Sequence, residues 1–448
     1  MWSEAIKLSS QLNLSTSKWE ELMQKAKSFS ISKHLVMEAW VRVKSNGGSA
    51  GIDEQSILGF ERNLKDNLYR IWNRMSSGSY MPSAVKLVEI PKSSGGTRPL
   101  GIPTISDRIA QMVVVQVLEP ILEPIFHIDS YGYRRGRSAH DALAQARKRC
   151  WRYNWVLDMD IKGFFDNIDH DLLNKALLLH VNEKWVMLYI NRWLRVPYET
   201  SQGERILREK GVPQGSVIGP VLANLFLHYA FDEWMKRMYC AIPFERYADD
   251  TICHCSSKEE AERMKEAVKK RLSECKLELN ETKTKIVYCK DANRKGSHDQ
   301  IKFDFLGYTF QPRKSENFRG QHFLSFLPAI STKACKRIGQ TMRAWWETSR
   351  TDKSLEELAA MINPSLKGWI NYYGKFYKSA VYKLLKRVNE RLSIWVTKKY
   401  KRFRGHRSRA REWLGNISKT TPYLFAHWIF GIKPPLKNVG LDNKSRMK

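Results

Sequence analysis

The chain has 448 residues, of which 42% are apolar and 27% are charged, and its formal net charge is +30. This length predicts two or three domains, and the apolar content excludes a chain that is disordered throughout. The sequence has no run of 18 apolar residues, and its first ten residues do not predict a secretory leader. We therefore expect a cytoplasmic protein that crosses no membrane. Its seven scattered cysteines, an odd number without a framework spacing, predict reduced thiols.

The positive charge is concentrated towards the C-terminus. Residues 331–448 contain 27 Lys and Arg against 7 Asp and Glu. Such an excess favours a polyanionic partner, with nucleic acid as the first candidate and an anionic membrane surface as the second.

The first 103 residues combine helices with one basic hairpin. Residues 1–44 and 54–77 have helical patterns, with Ser30 as a possible cap, and a glycine-rich loop at 46–53 separates them. Residues 85–90 and 97–102 predict two strands joined by a turn. Lys92 and Arg98 would project from this ribbon, where cations can bind a triphosphate. A solvated basic hairpin would have the same pattern.

Two stretches in the middle of the chain place acids next to apolar runs. Residues 155–161 alternate as a strand, so that Asp158 and Asp160 share one face. A carboxylate there is costly unless it is paired, binds metal or faces solvent from an edge strand. Asp249 and Asp250 lie at a predicted hairpin turn, which is usually only a solvated feature. With a third carboxylate, the pair could hold two divalent ions about 3.5–4 Å apart, as enzymes of phosphoryl transfer do.

Several loops and helices surround these acids. An aromatic and basic loop at 131–137 has the composition of a strand-binding loop. Residues 107–124, 140–149, 170–195 and 258–277 predict helices, and 279–288 and 303–310 predict strands, the second interrupted by Gly307. Residues 211–220 form a flexible loop before a helix that begins near Pro220 and ends near 238, and such a loop can contact a base and a phosphate. The Cys253-His254-Cys255 triplet lacks a second ligand pair, so we do not expect a zinc site.

From residue 331 onwards the chain is predicted to be helical, basic and aromatic. The run at 398–411 favours binding to a phosphate backbone, although a charge run can also be a solvated face. Residues 433–448 read as a loose basic tail.

In this order the motifs resemble those of reverse transcriptases encoded by group II introns. The resemblance covers about 19–431 and rests on Thr-Arg-Pro-Leu-Gly-Ile-Pro at 97–103, Leu-Asp-Met-Asp-Ile-Lys-Gly-Phe-Phe-Asp at 157–166 and Pro-Gln-Gly at 213–215. It also includes Tyr-Ala-Asp-Asp at 247–250, Phe-Leu-Gly-Tyr at 305–308 and Gly-Trp-Ile-Asn-Tyr-Tyr at 368–373. No endonuclease motif follows residue 431, so the form without that domain is expected.

The resemblance implies an α+β right-hand polymerase with an antiparallel-sheet palm and an all-α basic thumb. Its expected segments are an N-terminal extension with the first fingers motif (1–78), a fingers–palm domain (79–325), a thumb/maturase domain (326–432) and a tail (433–448). It also implies roles for individual residues. The catalytic carboxylates would be Asp160, Asp249 and Asp250, which with the Ile161 carbonyl would bind two Mg²⁺ ions, for which Mn²⁺ can substitute. The nucleotide-binding residues would be Lys92, Arg98, Phe165, Gln214 and Lys283, with Phe165 excluding a ribose 2′-hydroxyl. The primer grip would be Phe305, Leu306, Gly307 and Tyr308. The RNA contacts would be Arg134, Arg135, Arg137, Lys398, Lys399, Arg402, Arg404 and Arg407.

The implied function is RNA-directed DNA synthesis together with binding of the intron RNA to assist splicing and retromobility. The implied partners are group II intron RNA, an RNA template–DNA primer duplex, deoxynucleoside triphosphates and target DNA, within a nucleoid- or ribonucleoprotein-associated complex. Two alternatives have the same motifs. One is a maturase whose polymerase site is inactive, and the other is a domesticated reverse transcriptase used in defence or repair.

Overall fold

The computed structural model of the protein describes residues 28–91, 96–346 and 350–435. Its helices are α1 (Lys33–Asn46), α2 (Ile57–Arg62), α3 (Leu64–Ser76), α4 (Ile105–Leu122), α5 (Ala139–Arg152), α6 (Phe164–Asn167), α7 (His170–Leu178), α8 (Lys184–Arg195), α9 (Gly219–Leu227), α10 (Glu233–Met238), α11 (Lys258–Glu274), α12 (Thr332–Ala344), α13 (Leu355–Tyr373), α14 (Lys378–Lys399), α15 (Arg407–Thr420) and α16 (Ala426–Ile429). Its strands are β1 (Val85–Pro91), β2 (Thr97–Ile102), β3 (Trp155–Met159), β4 (Tyr198–Glu199), β5 (Arg205–Ile206), β6 (Phe244–Tyr247), β7 (Asp250–Cys255), β8 (Lys285–Tyr288), β9 (Phe303–Phe305), β10 (Tyr308–Glu316) and β11 (His322–Ile330).

The described residues fold as two compact units, each built from separate stretches of the chain. The first contains the described residues up to Ser138 together with Met159–Thr251 and Arg263–Thr284. The second contains Ala139–Asp158, Ile252–Glu262 and the described residues from Lys285 onwards. The four sequence segments proposed above remain a prediction.

The first unit combines helices with a basic β-ribbon. Strands β1 and β2 pair antiparallel from Lys86 opposite Ile102 to Pro91 opposite Thr97, which confirms the predicted hairpin. Strand β4 continues this sheet in parallel with β1. Helix α4 is buried along most of its length, and the Thr104 side chain caps its N-terminus by accepting from the Asp107 amide.

The second unit pairs antiparallel sheet with a helical C-terminal half. Strands β9, β10 and β11 form one antiparallel sheet, with Tyr308 opposite Phe305 on one side and Ile330 on the other. Strand β3 pairs antiparallel with β8. After Ser331 the described residues contain only helices and connections, which confirms the α+β class and the predicted helical character of this part.

Three sequence predictions need correction in their boundaries. Ser32, not Ser30, caps α1 by accepting from the Leu35 amide. Strand β8 begins only at Lys285, because the residues before it form a loop. The predicted strand at 303–310 is a tight hairpin, with Leu306 and Gly307 as its turn. Most of the predicted N-terminal helix, the turn containing Lys92 and most of the basic tail lie outside the described residues.

No helix in the described ranges combines the length and apolar character that a membrane crossing requires.

A buried histidine in the second unit predicts acid sensitivity of the fold. His427 shares the Asn389 Oδ1 acceptor with Trp428 Nε1, and its Nε2 lies 2.8 Å from that oxygen. Burial lowers the pKa of His427 to about 3. Because the unfolded pKa is about 6.5, the neutral ring stabilises the fold above that pH, and this stability is lost as the pH falls from there towards 3.

We expect the His427→Gln variant to lose less stability than the parent protein between pH 7 and pH 4, by about 3 kcal/mol. Urea unfolding at both pH values measures the difference. His406→Gln, at an exposed position, is the control and should keep the parent's pH dependence. Equal acid sensitivity in the parent and the His427 variant would contradict the prediction.

Candidate active site

The turn between β6 and β7 carries the paired acids, as predicted. Ala248 occupies the left-handed region at φ 58°, Asp249 follows in the turn, and Asp250 begins β7. Gly132 lies against this turn so closely that a Cβ there would overlap the Ala248 backbone nitrogen. The turn is therefore held by its surroundings, because an alanine in this conformation is otherwise unfavourable.

A fully buried arginine, Arg246, fixes the same turn through its hydrogen bonds. Arg246 Nε and Nη2 form a bidentate pair with the Asp232 carboxylate at 2.7 and 2.6 Å. Its remaining contacts are to Asn224 Oδ1 at 3.0 Å, the Ala248 carbonyl at 3.1 Å and Ser130 Oγ at 2.8 Å. All three guanidinium nitrogens are thus engaged. Arg246 therefore ties the backbone immediately before Asp249 to three other elements.

Asp249 is half-buried in an environment that opposes its ionisation. Burial raises the pKa of Asp249, its own backbone amide counteracts this, and the negative charge of Asp160 raises the pKa further. Arg98 and Arg246 act in the opposite direction through their positive charge. The negative charges of Asp160 and Asp249 repel each other, and a cation bound between them would remove this repulsion.

Asp160 comes immediately after β3, at a point where the chain leaves the sheet. Its Oδ2 accepts from Asn280 Nδ2 at 2.9 Å and pairs with Lys283 Nζ at 3.1 Å. A bridge between Ile161 and Leu279 holds the 279–284 loop beside it. The Lys283 side chain is 63% exposed, so this ion pair is weak, and the ammonium can exchange its partner for an incoming anion.

The predicted nucleotide-binding residues Arg98 and Gln214 contact each other. Arg98 Nε donates to Gln214 Oε1, and Gln214 Nε2 donates to both carboxylate oxygens of Asp166 at 3.1 Å. Gly215 permits this, because a Cβ there would overlap the Gly101 carbonyl of β2. Gln214 is only 9% exposed. Its amide is held between the Arg98 guanidinium and the Asp166 carboxylate.

Phe165 lies beside this chain of contacts. Its backbone carbonyl accepts from the Val212 amide at 2.7 Å, and its half-buried ring packs edge-on against Phe164. The Phe165 backbone is thus held by the loop that carries Gln214, and its ring is held by Phe164.

Three residues of this site were missed from the sequence. Asp166 ends the motif that begins at Leu157, and its partnership with Gln214 depends on a contact 48 positions away. Asn280 and Arg246 act through partners that are still further away in sequence, 120 positions for Asp160 and 116 for Ser130. The local signal was the pair of charged residues, Glu245 and Arg246, within the short strand β6.

The carboxylates of this site have the chemistry that a divalent cation requires. Asp160 and Asp249 supply the oxygen ligands that Mg²⁺ prefers, and their mutual repulsion is consistent with a cation between them. Within the described ranges, no group of three or more His, Cys, Asp or Glu side chains is preassembled as a metal site. In this structure one oxygen of Asp160 is occupied by Lys283 and Asn280 instead.

The predicted primer-grip residues lie in the second unit. Phe305 and Tyr308 are buried, and Leu306 and Gly307 form the turn between them. The Tyr308 hydroxyl donates to the Tyr372 carbonyl, and the Tyr372 hydroxyl donates to the Leu306 carbonyl at 2.7 Å. This turn is consequently locked onto α13.

Two of the predicted RNA-binding cations have hydrogen-bond partners within the fold. The Arg134 side chain is 5% exposed and donates to the Glu123 carboxylate and to the carbonyls of His127 and Ser130. Lys399 Nζ donates to the carbonyls of Thr351 and Lys353 at 2.9 and 2.6 Å. Arg134 and Lys399 therefore have partners within the protein, and their roles as RNA contacts stay predictions.

The other predicted RNA contacts also stay predictions, and they are mostly exposed. Arg135 is 64% exposed, although it approaches Glu119 at 3.1 Å. Arg407 pairs with Glu390 at 2.9 Å on the surface. Arg137 lies over the Tyr131 ring. The exposed remainder are Lys398, Arg402 and Arg404.

Two protein families match the chain. Residues 90–310 match the family described as reverse transcriptase (RNA-dependent DNA polymerase). Residues 335–413 match the group II intron, maturase-specific domain. The first match contains the candidate active site, and the second begins within α12.

Curated relatives include intron-encoded proteins. Protein YkfC of Escherichia coli is 29% identical over 66% of this chain and 84% of its own length. The group II intron-encoded protein LtrA of Lactococcus lactis is 31% identical over 56% of this chain and 40% of its own. A putative COX1/OXI3 intron 1 protein of Saccharomyces cerevisiae is 29% identical over 45% of this chain and 24% of its own. The chain thus spans less than half the length of the latter two.

Among solved structures, telomerase from Candida tropicalis aligns with a TM-score of 0.41 and 17% identity over 54% of this chain and 59% of that one.

Proposed function

Because this chain belongs to the reverse transcriptases encoded by group II introns and has their maturase-specific domain, we propose that it copies RNA into DNA. One observation carries the proposal: a single compact unit holds the β6–β7 turn, the Asp160–Lys283 pair and the Arg98–Gln214–Asp166 chain, and the charges of Asp160 and Arg98 both act on Asp249. The reverse transcriptase match also confirms the polymerase fold class that the motifs predict.

The residues of the site have complementary tasks in this reaction. Asp160, Asp249 and Asp250 would hold two Mg²⁺ ions, which when bound lower the pKa of the primer 3′-hydroxyl and neutralise the departing pyrophosphate. The Ile161 carbonyl is the further proposed ligand. Arg98 and Lys283 would bind phosphates of the incoming nucleotide, since both are cations and the ion pair of Lys283 with Asp160 is exposed. Gln214 would position the nucleotide through an amide that is already held on both sides.

RNA binding is the second part of the proposed function. The excess of cations after residue 331 supports attraction to the template–primer duplex and to the folded intron RNA. Splicing assistance, retromobility and contact with target DNA follow from the same proposal, as does a cytoplasmic ribonucleoprotein.

The test of the polymerase assignment is primer extension by the purified, RNA-free protein. An RNA template with an annealed DNA primer, deoxynucleoside triphosphates and Mg²⁺ should yield full-length cDNA, and chelation by EDTA should abolish it. Absence of extension alongside rescue of intron splicing would favour the alternative of an inactive polymerase site. Sequencing of the copurified RNA distinguishes a protein that binds its intron RNA from a domesticated reverse transcriptase, which would copurify with other RNA.

Substitution of Phe165 should relax sugar selection. We propose that its ring excludes the ribose 2′-hydroxyl, so Phe165→Val should raise incorporation of ribonucleotides relative to deoxynucleotides by about 10- to 100-fold. Single-nucleotide extension with each substrate measures the ratio. Phe164→Leu, which changes the neighbouring buried ring, is the matched control. Unchanged selectivity in the Phe165 variant would remove it from the nucleotide site.

A further inference from the structure

A second concave site lies entirely within the second unit. It is a groove of about 600 Å³ between the end of α5, the β10–β11 hairpin and the residues that follow α13. Its volume is in the range of ligand-binding pockets. The lining residues that matter here are Arg147, Trp151, Asp291, Phe323 and Phe376.

The floor of the groove is a fixed aromatic platform with a cation on it. The Arg147 guanidinium lies 4.7 Å from the centre of the Trp151 ring and 5.7 Å from that of Phe376. Trp151 Nε1 donates to the Phe326 carbonyl at 3.1 Å, which fixes the ring orientation. Trp151 and Phe323 are nevertheless 44% and 43% exposed. The Trp151 ring is held in place and both rings remain open to solvent, so they are available to stack with a ligand.

The charge of Arg147 is not balanced within the groove. Asp291 is the acid in the lining, and its carboxylate is taken by Arg294 at 3.0 and 2.5 Å and by the backbone amides of 293 and 294. Among the described residues, Arg147 forms no ion pair with a carboxylate, and it is half-buried. The groove therefore offers an uncompensated guanidinium next to stacking surfaces.

We propose that this groove binds a single-stranded segment of nucleic acid, with a base stacked on Trp151 or Phe323 and a phosphate at Arg147. Aromatic faces beside a cation bind single strands without reading their sequence, whereas a duplex hides its base faces. An uncompensated cation on a chain of net charge +30 favours a polyanion over a polypeptide. This site is additional to the proposed polymerase site and uses none of its residues.

The experiment compares single-strand and duplex binding in matched variants. Fluorescence anisotropy with labelled ten-nucleotide oligo-U, oligo-dT and a blunt duplex of equal length would be measured for Trp151→Ala and Arg147→Gln. Each variant should bind the single strands about 5-fold or more weakly and the duplex within about twofold of the parent protein. Comparing oligo-U with oligo-dT separates an RNA from a DNA occupant.

The control is a cation–aromatic pair outside the groove. Arg319 lies over the Phe318 ring at 5.2 Å on the same hairpin, and Phe318 is 93% exposed. Arg319→Gln should leave both affinities unchanged. Crosslinking of a 5-bromouridine oligonucleotide should label peptides that contain Trp151 or Phe323. Trp151→Phe, which keeps a ring, should retain most of the binding and tests the proposal if the alanine variant does not fold.

Three results would overturn the proposal. They are unchanged single-strand affinity in both groove variants, equal losses for single strand and duplex, and an equal loss in Arg319→Gln. Unchanged affinity would also leave a polypeptide as the occupant. The Asp249→Asn variant leaves the groove intact, so its affinity for single strands is measured independently of polymerase activity. A failure of the groove proposal is therefore distinguishable from a failure of the proposed polymerase function.

Discussion

Asp249→Asn is expected to reduce cDNA synthesis by at least about a thousandfold while leaving RNA affinity within about twofold of the parent protein. The amide keeps the shape of the side chain but removes the negative charge that would hold Mg²⁺ beside Asp160. Primer extension on an RNA template under single-turnover conditions measures the rate, and filter binding of the same template measures the affinity.

Loss of folding would not explain such a result. Burial and the charge of Asp160 raise the pKa of Asp249, so the folded protein disfavours its ionised form. Stability is therefore lost as the pH rises through the raised pKa, and the uncharged Asp249→Asn variant should be at least as stable as the parent in EDTA at neutral pH. Thermal unfolding with and without EDTA checks this expectation.

The matched control is Asp171→Asn, an exposed carboxylate in the first turn of α7 in the same unit. It should extend primers at the parent rate. Parent-like extension by the Asp249→Asn variant would exclude Asp249 from catalysis, and a parallel loss of RNA binding would point to a structural role instead.

The hairpins and the acids could be predicted from the sequence because their signals are local. Alternation in β3, the turn residues between β6 and β7, and the ribbon of β1 and β2 each depend on a few neighbouring residues. Strand β11 was missed because its burial is decided by pairing with β10 over nine positions, not by its own alternation.

The roles of individual cations could not be predicted for a related reason. Arg134 stands in a basic, aromatic loop, yet Glu123 and two carbonyls use its donors. Lys399 belongs to a basic run, but its long stem carries the ammonium back to the carbonyls of 351 and 353. Composition gives the total charge of a segment, whereas each partner is set by tertiary contacts.

The largest effect on stability is expected from Arg246. Arg246→Met leaves the Asp232 carboxylate buried without its counter-ion, which should lower the free energy of unfolding by about 3–5 kcal/mol. Arg246→Lys keeps the charge but cannot reproduce the planar fork, so its loss should be intermediate. Chemical denaturation of the parent protein, Arg246→Met and Arg246→Lys measures the three free energies of unfolding. Arg237→Met, which disturbs an exposed pair with Glu233 at 3.6 Å, should cost less than about 1 kcal/mol.

A double variant separates the two tasks of Arg246, which are to neutralise Asp232 and to hold the turn before Asp249. Arg246→Met combined with Asp232→Leu removes both buried charges, so it should recover most of the lost stability. The Ala248 carbonyl still lacks its donor, so extension should remain at least about tenfold slow even in the stable double variant. If activity returned together with stability, Arg246 would matter only for folding. If stability returned without activity, the guanidinium would be established as the group that positions Asp249.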